Sequence, residues 1–243
     1  MVNRANHQGT AAPSVWLRTQ RGSRGPASQW TRDDVAAAGV GLADAGGLEA
    51  VTMRSMAATL GTAGASLYRI VDSRDHVLEL MADRVIAEFD YADTPPGSGH
   101  VGLLSLAVQA RAIYARHPWL LTITTSSPVL GPNATTYLDH ALGTIVETAL
   151  TSRQRLEAVG IVSGLVRVLA LDEAKPGHGR ISPAWQEALT ANLRAATNAD
   201  AHPYLSRALL GAEPVTDSPD DRFESVVGRV IAALLHPAKR GRR

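Results

Sequence analysis

The stretch Leu48 to Met81, LEAVTMRSMAATLGTAGASLYRIVDSRDHVLELM, decides the fold. Thr52 is placed to cap a helix over Met53 to Leu60, in which Met53, Met56, Ala57 and Leu60 recur at i, i+3, i+4 and i+7. One face of that helix is therefore buried. Gly61 follows where a left-handed turn carries no Cβ clash, and Thr62 leads into a second helical run, Ala63 to Val71. In that run Leu67 and Val71, four apart, dock on the first helix, while Gly64, Ala65, Ser66, Tyr68 and Arg69 stay open. Such residues are small enough for close approach to a duplex, or long enough to reach phosphates and base edges. Ser73 then caps a third helix, with Asp75 in its positive first turn and Val77, Leu80, Met81 and Val85 as its apolar stripe.

Working upstream, Thr31 caps a helix with Asp33 and Asp34 in its first turn, Val35, Ala38, Leu42 and Ala45 as its buried face, and Gly46-Gly47 as its stop. Gly39 and Gly41 inside it each cost about 1 kcal/mol relative to Ala. That helix must rely on tertiary packing, and close contact with another helix is the expected reason. Short amphipathic helices joined by glycine are common in all-α proteins and only a minority bind DNA. Pattern alone leaves the role of the motif open.

The order of segments is more specific. MRSMAATLG, then TAGASLYR, then a capped helix rich in Leu and Met closely resembles the N-terminal domain of tetracycline-repressor-like (TetR family) transcriptional regulators. The resemblance is dense from Thr31 to Val85 and continues more loosely to near Leu235. It implies that Arg54 touches DNA from the first helix of the motif, that Gly64, Ala65, Ser66, Tyr68, Arg69 and Ile70 belong to the recognition helix, and that Arg74 contacts a phosphate. Thr52 and Thr62, which open the two helices, complete the expected DNA-facing set. Two departures matter. Ile70 stands where the family commonly has His or Tyr, and Gly64 and Ala65 offer no side-chain hydrogen bond, so base readout rests on few residues.

The chain has 243 residues with 45% apolar and 5% aromatic content, enough for one sizeable core or two smaller ones. The absence of cysteine excludes disulfides, thiol catalysis and Cys-based zinc sites, and fits a reducing compartment. No apolar run approaches membrane-spanning length and the N-terminus lacks the hydrophobic core of a signal peptide, so no membrane partner and a cytoplasmic location are expected.

Net charge is only +1, but it is unevenly spread. Met1 to Trp30 holds Arg4, Arg18, Arg21 and Arg24 with no acidic residue, and the chain ends with Lys239, Arg240, Arg242 and Arg243. The first segment is rich in Gly, Ser, Ala and Pro and is expected to be largely disordered. It reads either as a solvated tail or as an arm along the DNA backbone or minor groove. Val15, Trp16 and Leu17 are apolar for a tail and are candidates for local packing. The expected organisation is a basic disordered arm at 1–28, a helix-turn-helix domain at 29–90, a ligand-binding and dimerisation domain at 91–238 and a basic tail at 239–243.

Beyond Val101 the chain shows helical segments separated by Pro, Gly and Asn clusters and no strand alternation, so the whole chain is expected to be all-α. Helices are expected over Leu103 to Arg116, Ala134 to Ala149, Arg153 to Asp172, Pro183 to Ala196 and Arg222 to Leu235, with a short element across Trp119 to Ser126. ARHPWLLTITTSSPVLGPN and RFESVVGRVIAALL are similar to segments of regulators with a tetracycline-repressor-type C-terminal domain. In those regulators the domain binds an inducer and dimerises through a four-helix bundle, which here implies a homodimer through Arg153 to Asp172 and Arg222 to Leu235.

The residues agree with that reading. Val159, Val162, Val166 and Leu169 with Gly160 and Gly164 make an apolar, small-residue surface, and Val226, Val230, Ala233 and Leu234 make a second stripe. Both stripes would equally serve as internal core, and one sequence does not separate the two. A dimer would set two recognition helices roughly 34 to 36 Å apart, the spacing of an inverted repeat on double-stranded operator DNA.

The expected ligand pocket is lined by Ile113, Trp119, Leu120, Ile123, Thr124, Leu130, Tyr137, Leu165 and Leu169, mostly apolar with few polar handles. Ordinary core is the bland reading of each. Aligning Pro128 with the proline after the drug-binding turn of the tetracycline repressor puts Ile123 where that protein has a metal-coordinating His, although Asp172 falls at its metal-linked acid. One carboxylate without the imidazole makes a poor magnesium site, so neither tetracycline nor a metal or other cofactor is expected. The His residues form no HExxH or other paired spacing, and there is no GxSxG elbow or P-loop. The expected function is a non-enzymatic transcriptional regulator, a repressor released by a small apolar or amphipathic effector. The competing class is an all-α small-molecule-binding protein or enzyme whose helix-turn-helix is structural only.

Overall fold

The computed structural model describes residues 14–17, 30–126, 131–175, 183–196, 202–210 and 218–236. Eleven α-helices and no strand occur among the described residues: α1 Arg32–Gly46, α2 Met53–Thr59, α3 Gly64–Leu67, α4 Arg74–Ile86, α5 Gly99–Arg116, α6 Trp119–Ser126, α7 Pro132–Thr144, α8 Ser152–Glu173, α9 Pro183–Ala196, α10 Pro203–Leu210 and α11 Pro219–Leu235. The expected all-α fold is what the chain adopts.

Caps written in the sequence set many of these ends. Thr31 and Asp34 form a reciprocal capping box at α1, Thr52 and Ser55 at α2, and Thr151 and Gln154 at α8. Ser73 caps α4, and Ser218 caps α11 with Pro219 in the first turn and Asp220 and Asp221 beside it. Hydrogen bonds to Thr31 are the main cause that holds the Asp34 carboxyl below its ordinary range.

Two cores form. The first joins Val35, Met56, Leu67, Val71, Val77, Leu80, Met81 and Val85 of α1 to α4, and extends to Ile113, Trp119, Leu120 and Ile123 at the end of α5 and in α6. The second joins Leu103, Leu106, Ala141, Ile145, Val159, Val162, Val166, Phe223, Val227 and Ile231 of α5, α7, α8 and α11. Helix α4 packs against α1 on one side and against α6 and α7 on the other, so it belongs to both units.

Several expectations shift. The buried face of α1 is Val35, Ala36, Gly39 and Ala43 rather than Val35, Ala38, Leu42 and Ala45, and Ala45 is exposed. Gly39 explains the register, because a Cβ there would sit 2.6 Å from Met81 Sδ; Gly41 meets nothing within 4 Å. The α1–α4 approach therefore needs one of the two glycines. Helix α5 begins four residues before Leu103, and α7 begins two residues before Ala134 and ends at Thr144 instead of Ala149. Beyond that end the Thr144 and Thr148 hydroxyls bond back to the carbonyls of Ala141 and Ile145, and the Gly97 N–H takes the Gly143 carbonyl. Helix α10 was not foreseen.

The N-terminal arm is not a tail throughout. Val15–Leu17 forms a 3-10 turn with Val15 fully buried in the first core, and Glu79 of α4 accepts from the Ser14 hydroxyl at 2.6 Å and the Val15 N–H at 3.0 Å. The rest of residues 1–28 and the tail at 239–243 lie outside the described residues.

Candidate DNA interface and effector cavity

The motif geometry follows from its turn. Gly61 has φ 60°, the Thr62 N–H reaches the Ala57 carbonyl at 2.9 Å, and the Gly61 N–H reaches the Ala58 carbonyl at 3.1 Å. This is the paired closure of a glycine-terminated helix, and it turns the chain sharply into α3. Leu67 and Val71 are fully buried beneath it, as their spacing requires.

Helix α3 is shorter than the expected Ala63 to Val71. It spans Gly64–Leu67, and i to i+3 bonds from the Arg69 N–H to Ser66 and from the Ile70 N–H to Leu67 tighten the chain beyond it. Ala63 supplies no side-chain cap, which leaves this element dependent on Leu67 and Val71. Outward stand Gly64, Ala65, Tyr68 and Arg69, with Tyr68 51% exposed and the Arg69 guanidinium 3.3 Å from Ser66 Oγ. Arg54 and Thr52 are exposed on and beside α2, and Thr62 is half-buried in the turn.

Two residues of the expected set are placed differently. Ile70 packs partly against the first core. Arg74 turns inward, donating from Nε to the Val51 carbonyl at 2.7 Å and from a terminal nitrogen to the Leu48 carbonyl at 2.6 Å. These bonds fasten the start of α4 to the segment that enters α2, an arrangement absent from any sequence pattern because the partners are backbone oxygens.

In the larger unit a cavity of about 90 Å3 lies among Ile86 and Phe89 at the end of α4, Leu103, Ala107, Ala110, Ile113 and Tyr114 of α5, Leu120 and Thr124 of α6, Tyr137 of α7, and Val162, Ser163 and Val166 of α8. Ile113, Leu120, Thr124 and Tyr137 of the expected lining come together there. Trp119 and Ile123 are buried in the first core instead, and Leu165 packs on the second. Leu169 faces a separate hollow beside α11 with Pro219 and Val226, and Leu130 lies outside the described residues. Of α5 only Ile113 was foreseen; Leu103, Ala107, Ala110 and Tyr114 of that helix, and Ile86 and Phe89 from α4 and the turn after it, were missed because their apolar faces carry only the ordinary signal of a core stripe.

Few polar groups line the cavity. The Tyr137 hydroxyl sits 3.2 Å from Ser163 Oγ, and the Tyr137 ring tilts against Phe89 with centroids 4.6 Å apart. Burial pushes both the Tyr137 and Tyr114 phenols up from their ordinary range; hydrogen bonding to Ser163 and Thr124 respectively opposes this in part. Both phenols therefore stay neutral donors at physiological pH. Arg167 reaches the Thr124 carbonyl at 2.9 Å behind the wall. The magnesium set of the tetracycline repressor does not fit here: Ile123 is a buried hydrocarbon and Asp172 accepts from Lys175 Nζ at 2.6 Å.

On the α8 stripe the internal-core alternative holds for three valines. Val159, Val162 and Val166 are buried within the subunit's own second core, whereas Leu156, Ile161 and Val168 of the same helix are 51%, 49% and 61% exposed. On α11, Val226, Val230 and Leu234 are half-buried and Ala233 is exposed, alongside the buried Phe223, Val227 and Ile231. Each helix thus has an inner apolar face and an outer one.

A glycine-hinged helix-turn-helix in a small N-terminal bundle, joined by α4 to a helical unit around an internal cavity, is the architecture of two-domain transcriptional regulators. The family described as tetracyclin repressor-like, C-terminal domain, matches residues 93–236, and the chain belongs to the TetR family. It is 40% identical over 153 residues to the HTH-type transcriptional repressor DrrR1 of Streptomyces coeruleorubidus, covering 63% of this chain and 57% of that one. It is 28% identical over 156 residues to an HTH-type transcriptional regulator of Saccharopolyspora erythraea, covering 64% and 66%. The matches thus span less than two thirds of both curated relatives. ActR of Streptomyces coelicolor, solved in complex with actinorhodin, superposes with a TM-score of 0.69 at 27% identity, covering 85% of this chain and 97% of that one.

Proposed function

We propose that this chain is a ligand-responsive transcriptional repressor that binds an inverted-repeat operator as a homodimer and releases it when a small amphipathic effector enters the cavity. The observation that carries the reading is the position of α4, which supplies Ile86 to the cavity at one end and holds the entry to α2 through Arg74 at the other. Anything that reshapes the cavity acts on a helix fastened to the reading motif. The DNA-facing set is Thr52, Arg54, Thr62, Gly64, Ala65, Ser66, Tyr68 and Arg69, with Ile70 and Arg74 supporting it from behind.

The effector is flat, largely apolar and carries hydrogen-bonding oxygens, because the lining offers aromatic rings, aliphatic side chains and the hydroxyls of Tyr114, Thr124, Tyr137 and Ser163. Drug-sized ligands occupy pockets of roughly 300 to 1,000 Å3, so effector entry must push the helices apart. The free energy of effector binding drives that expansion, and α4 moves with it. The actinorhodin complex of ActR supports a planar aromatic class.

The dimer surface is the outer face of α8 and α11, formed by Ile161, Val168, Val226, Val230 and Ala233. An apolar strip left exposed on α8 and half-open on α11 is unusual for a monomer. No described helix is long and apolar enough to cross a membrane, and a cytoplasmic site of action is consistent with that. The test is selection of a duplex from random sequence by the full chain, followed by competition with nonspecific DNA. Recovery of an inverted repeat that survives competition supports the reading, and recovery of no sequence preference rejects it.

A further inference from the structure

We propose that the Asp83 carboxylate is the joint that passes filling of the cavity from α7 to the DNA-binding helices, an inference that rests on the effector reading above. Asp83 lies on α4 and is 2% exposed. Its Oδ1 accepts from the Ala134 N–H at 2.9 Å, and its Oδ2 accepts from Asn133 Nδ2 at 3.0 Å and from the Asn133 N–H at 3.3 Å. A residue of the connector thus caps the first turn of α7. The N-cap residue of α7, Gly131, has no side chain with which to do this.

Gly131 also makes the contact possible. A Cβ at that position would run into the Asp83 carboxylate, so a glycine there is what lets that carboxylate reach the start of α7. The joint sits one helical turn from the cavity on both sides. Ile86, three residues after Asp83, and Tyr137, four residues after Asn133, both line the cavity.

The mechanics follow from the bonding. A buried carboxylate with three donors cannot be pulled from α7 without stranding a charge and two backbone N–H groups, so the two helices move together rather than apart. Displacement of α7 at Tyr137 therefore drags α4, and α4 carries Arg74 and the carbonyls of Leu48 and Val51 ahead of α2. Other polar ties of α4 and the turn after it run to α1, from Arg84 to Asp33, and to the end of α5, from Glu88 to Arg116 and His117.

A cavity-filling substitution tests this without knowledge of the natural effector. Ala110→Phe on α5 adds a ring to the cavity wall, and affinity for the selected duplex is measured with Ala110→Phe, Asp83→Asn and the double variant. Ala110→Phe weakens duplex binding by about tenfold, the size of an ordinary allosteric coupling. In the Asp83→Asn background the same substitution changes affinity by less than about twofold, although Asp83→Asn alone still binds.

An equal loss in both backgrounds overturns the role of Asp83 and leaves the effector reading standing. No loss from Ala110→Phe in the native background overturns both. A merely structural Asp83 lowers the melting temperature and keeps the tenfold step. Should Asp83→Asn fail to fold, Asn133→Ala removes one donor and keeps the two backbone bonds; it shrinks the step to less than half on a logarithmic scale, and an unchanged step rejects the proposal.

Discussion

His117 Nδ1 lies 2.7 Å from Asp44 Oδ1, which ties the last turn of α1 to the junction between α5 and α6. The same Asp44 oxygen accepts the Trp119 indole N–H at 2.7 Å, and the other ring nitrogen of His117 lies 3.0 Å from Glu88 Oε1 just past α4. His117 is 8% exposed. One buried imidazole thus gathers the N-terminal bundle, the end of α4 and the cavity-lining helices at a single point.

Removal of the Asp44 carboxylate strands the Trp119 N–H and one His117 nitrogen in a mostly dry place. Asp44→Ala is expected to cost about 1 to 3 kcal/mol. In a chain of this size each kcal/mol corresponds to about 2 to 4 °C of melting temperature, and a thermal melt of both proteins checks it. An unchanged melt would show that water replaces the carboxylate freely.

Acid should loosen the same junction. Burial acts to raise the Glu88 carboxyl, but the hydrogen bond from Arg116 and the charge and hydrogen bond of His117 outweigh it, so the group lies below its ordinary value of 4.5. A carboxyl depressed on folding stabilises the fold above its ordinary value, and that contribution is lost as pH falls through the folded value. Urea titrations from pH 6 down to pH 3 should therefore show a shallower acid loss for Glu88→Gln than for the wild-type chain. Parallel acid limbs would show that the Glu88 carboxylate does not stabilise the junction.

Neighbours in the reading motif should separate stability from binding. Leu67 is fully buried and Tyr68 is half exposed. Leu67→Ala is expected to destabilise the fold by about 2 to 5 kcal/mol, whereas Tyr68→Ala should stay within about 0.5 kcal/mol and weaken duplex binding. Arg69→Ala should lower affinity and reduce the salt slope by about 1 if the guanidinium contacts a phosphate. Chemical denaturation and anisotropy titrations at several salt concentrations read these effects.

The outer face of α8 gives the dimer test. Val168 is 61% exposed, so Val168→Glu leaves the subunit core intact and puts a charge into the proposed interface. Sedimentation equilibrium should report a dimer for the wild-type chain and a monomer, or a dimer weakened by at least about tenfold, for the variant. A wild-type monomer would contradict the assembly.

The parts of this fold that were legible in the sequence are those fixed by local chemistry. Thr52, Gly61 and Ser73 mark ends whose hydrogen bonds close within a few residues, and Leu67 and Val71 declare their face by spacing alone. What was not legible depends on partners far along the chain. Arg74 looks like any cation beside a helix start until Leu48 and Val51 present their carbonyls to it. Trp119 looks like cavity wall until its indole finds Asp44, 75 residues away. Helix α8 is apolar on two faces, so Val159 and Val168 give the same signal although one is buried and the other exposed. Periodicity shows that a residue is apolar and on which helical face, but not what covers that face.

Occupancy of the cavity and grip on DNA should be linked through α4. Anisotropy of a labelled duplex, selected by the full chain from random sequence, should be titrated with the protein in the presence and absence of actinorhodin as a planar aromatic probe, with direct binding of the probe followed by tyrosine and tryptophan fluorescence. A probe seen to bind should raise the apparent Kd for the duplex by at least about fivefold, and Tyr137→Ala should abolish the shift while the chain still binds DNA. A probe that binds beside Tyr137 and leaves the duplex affinity unchanged would show that α4 does not couple the cavity to DNA.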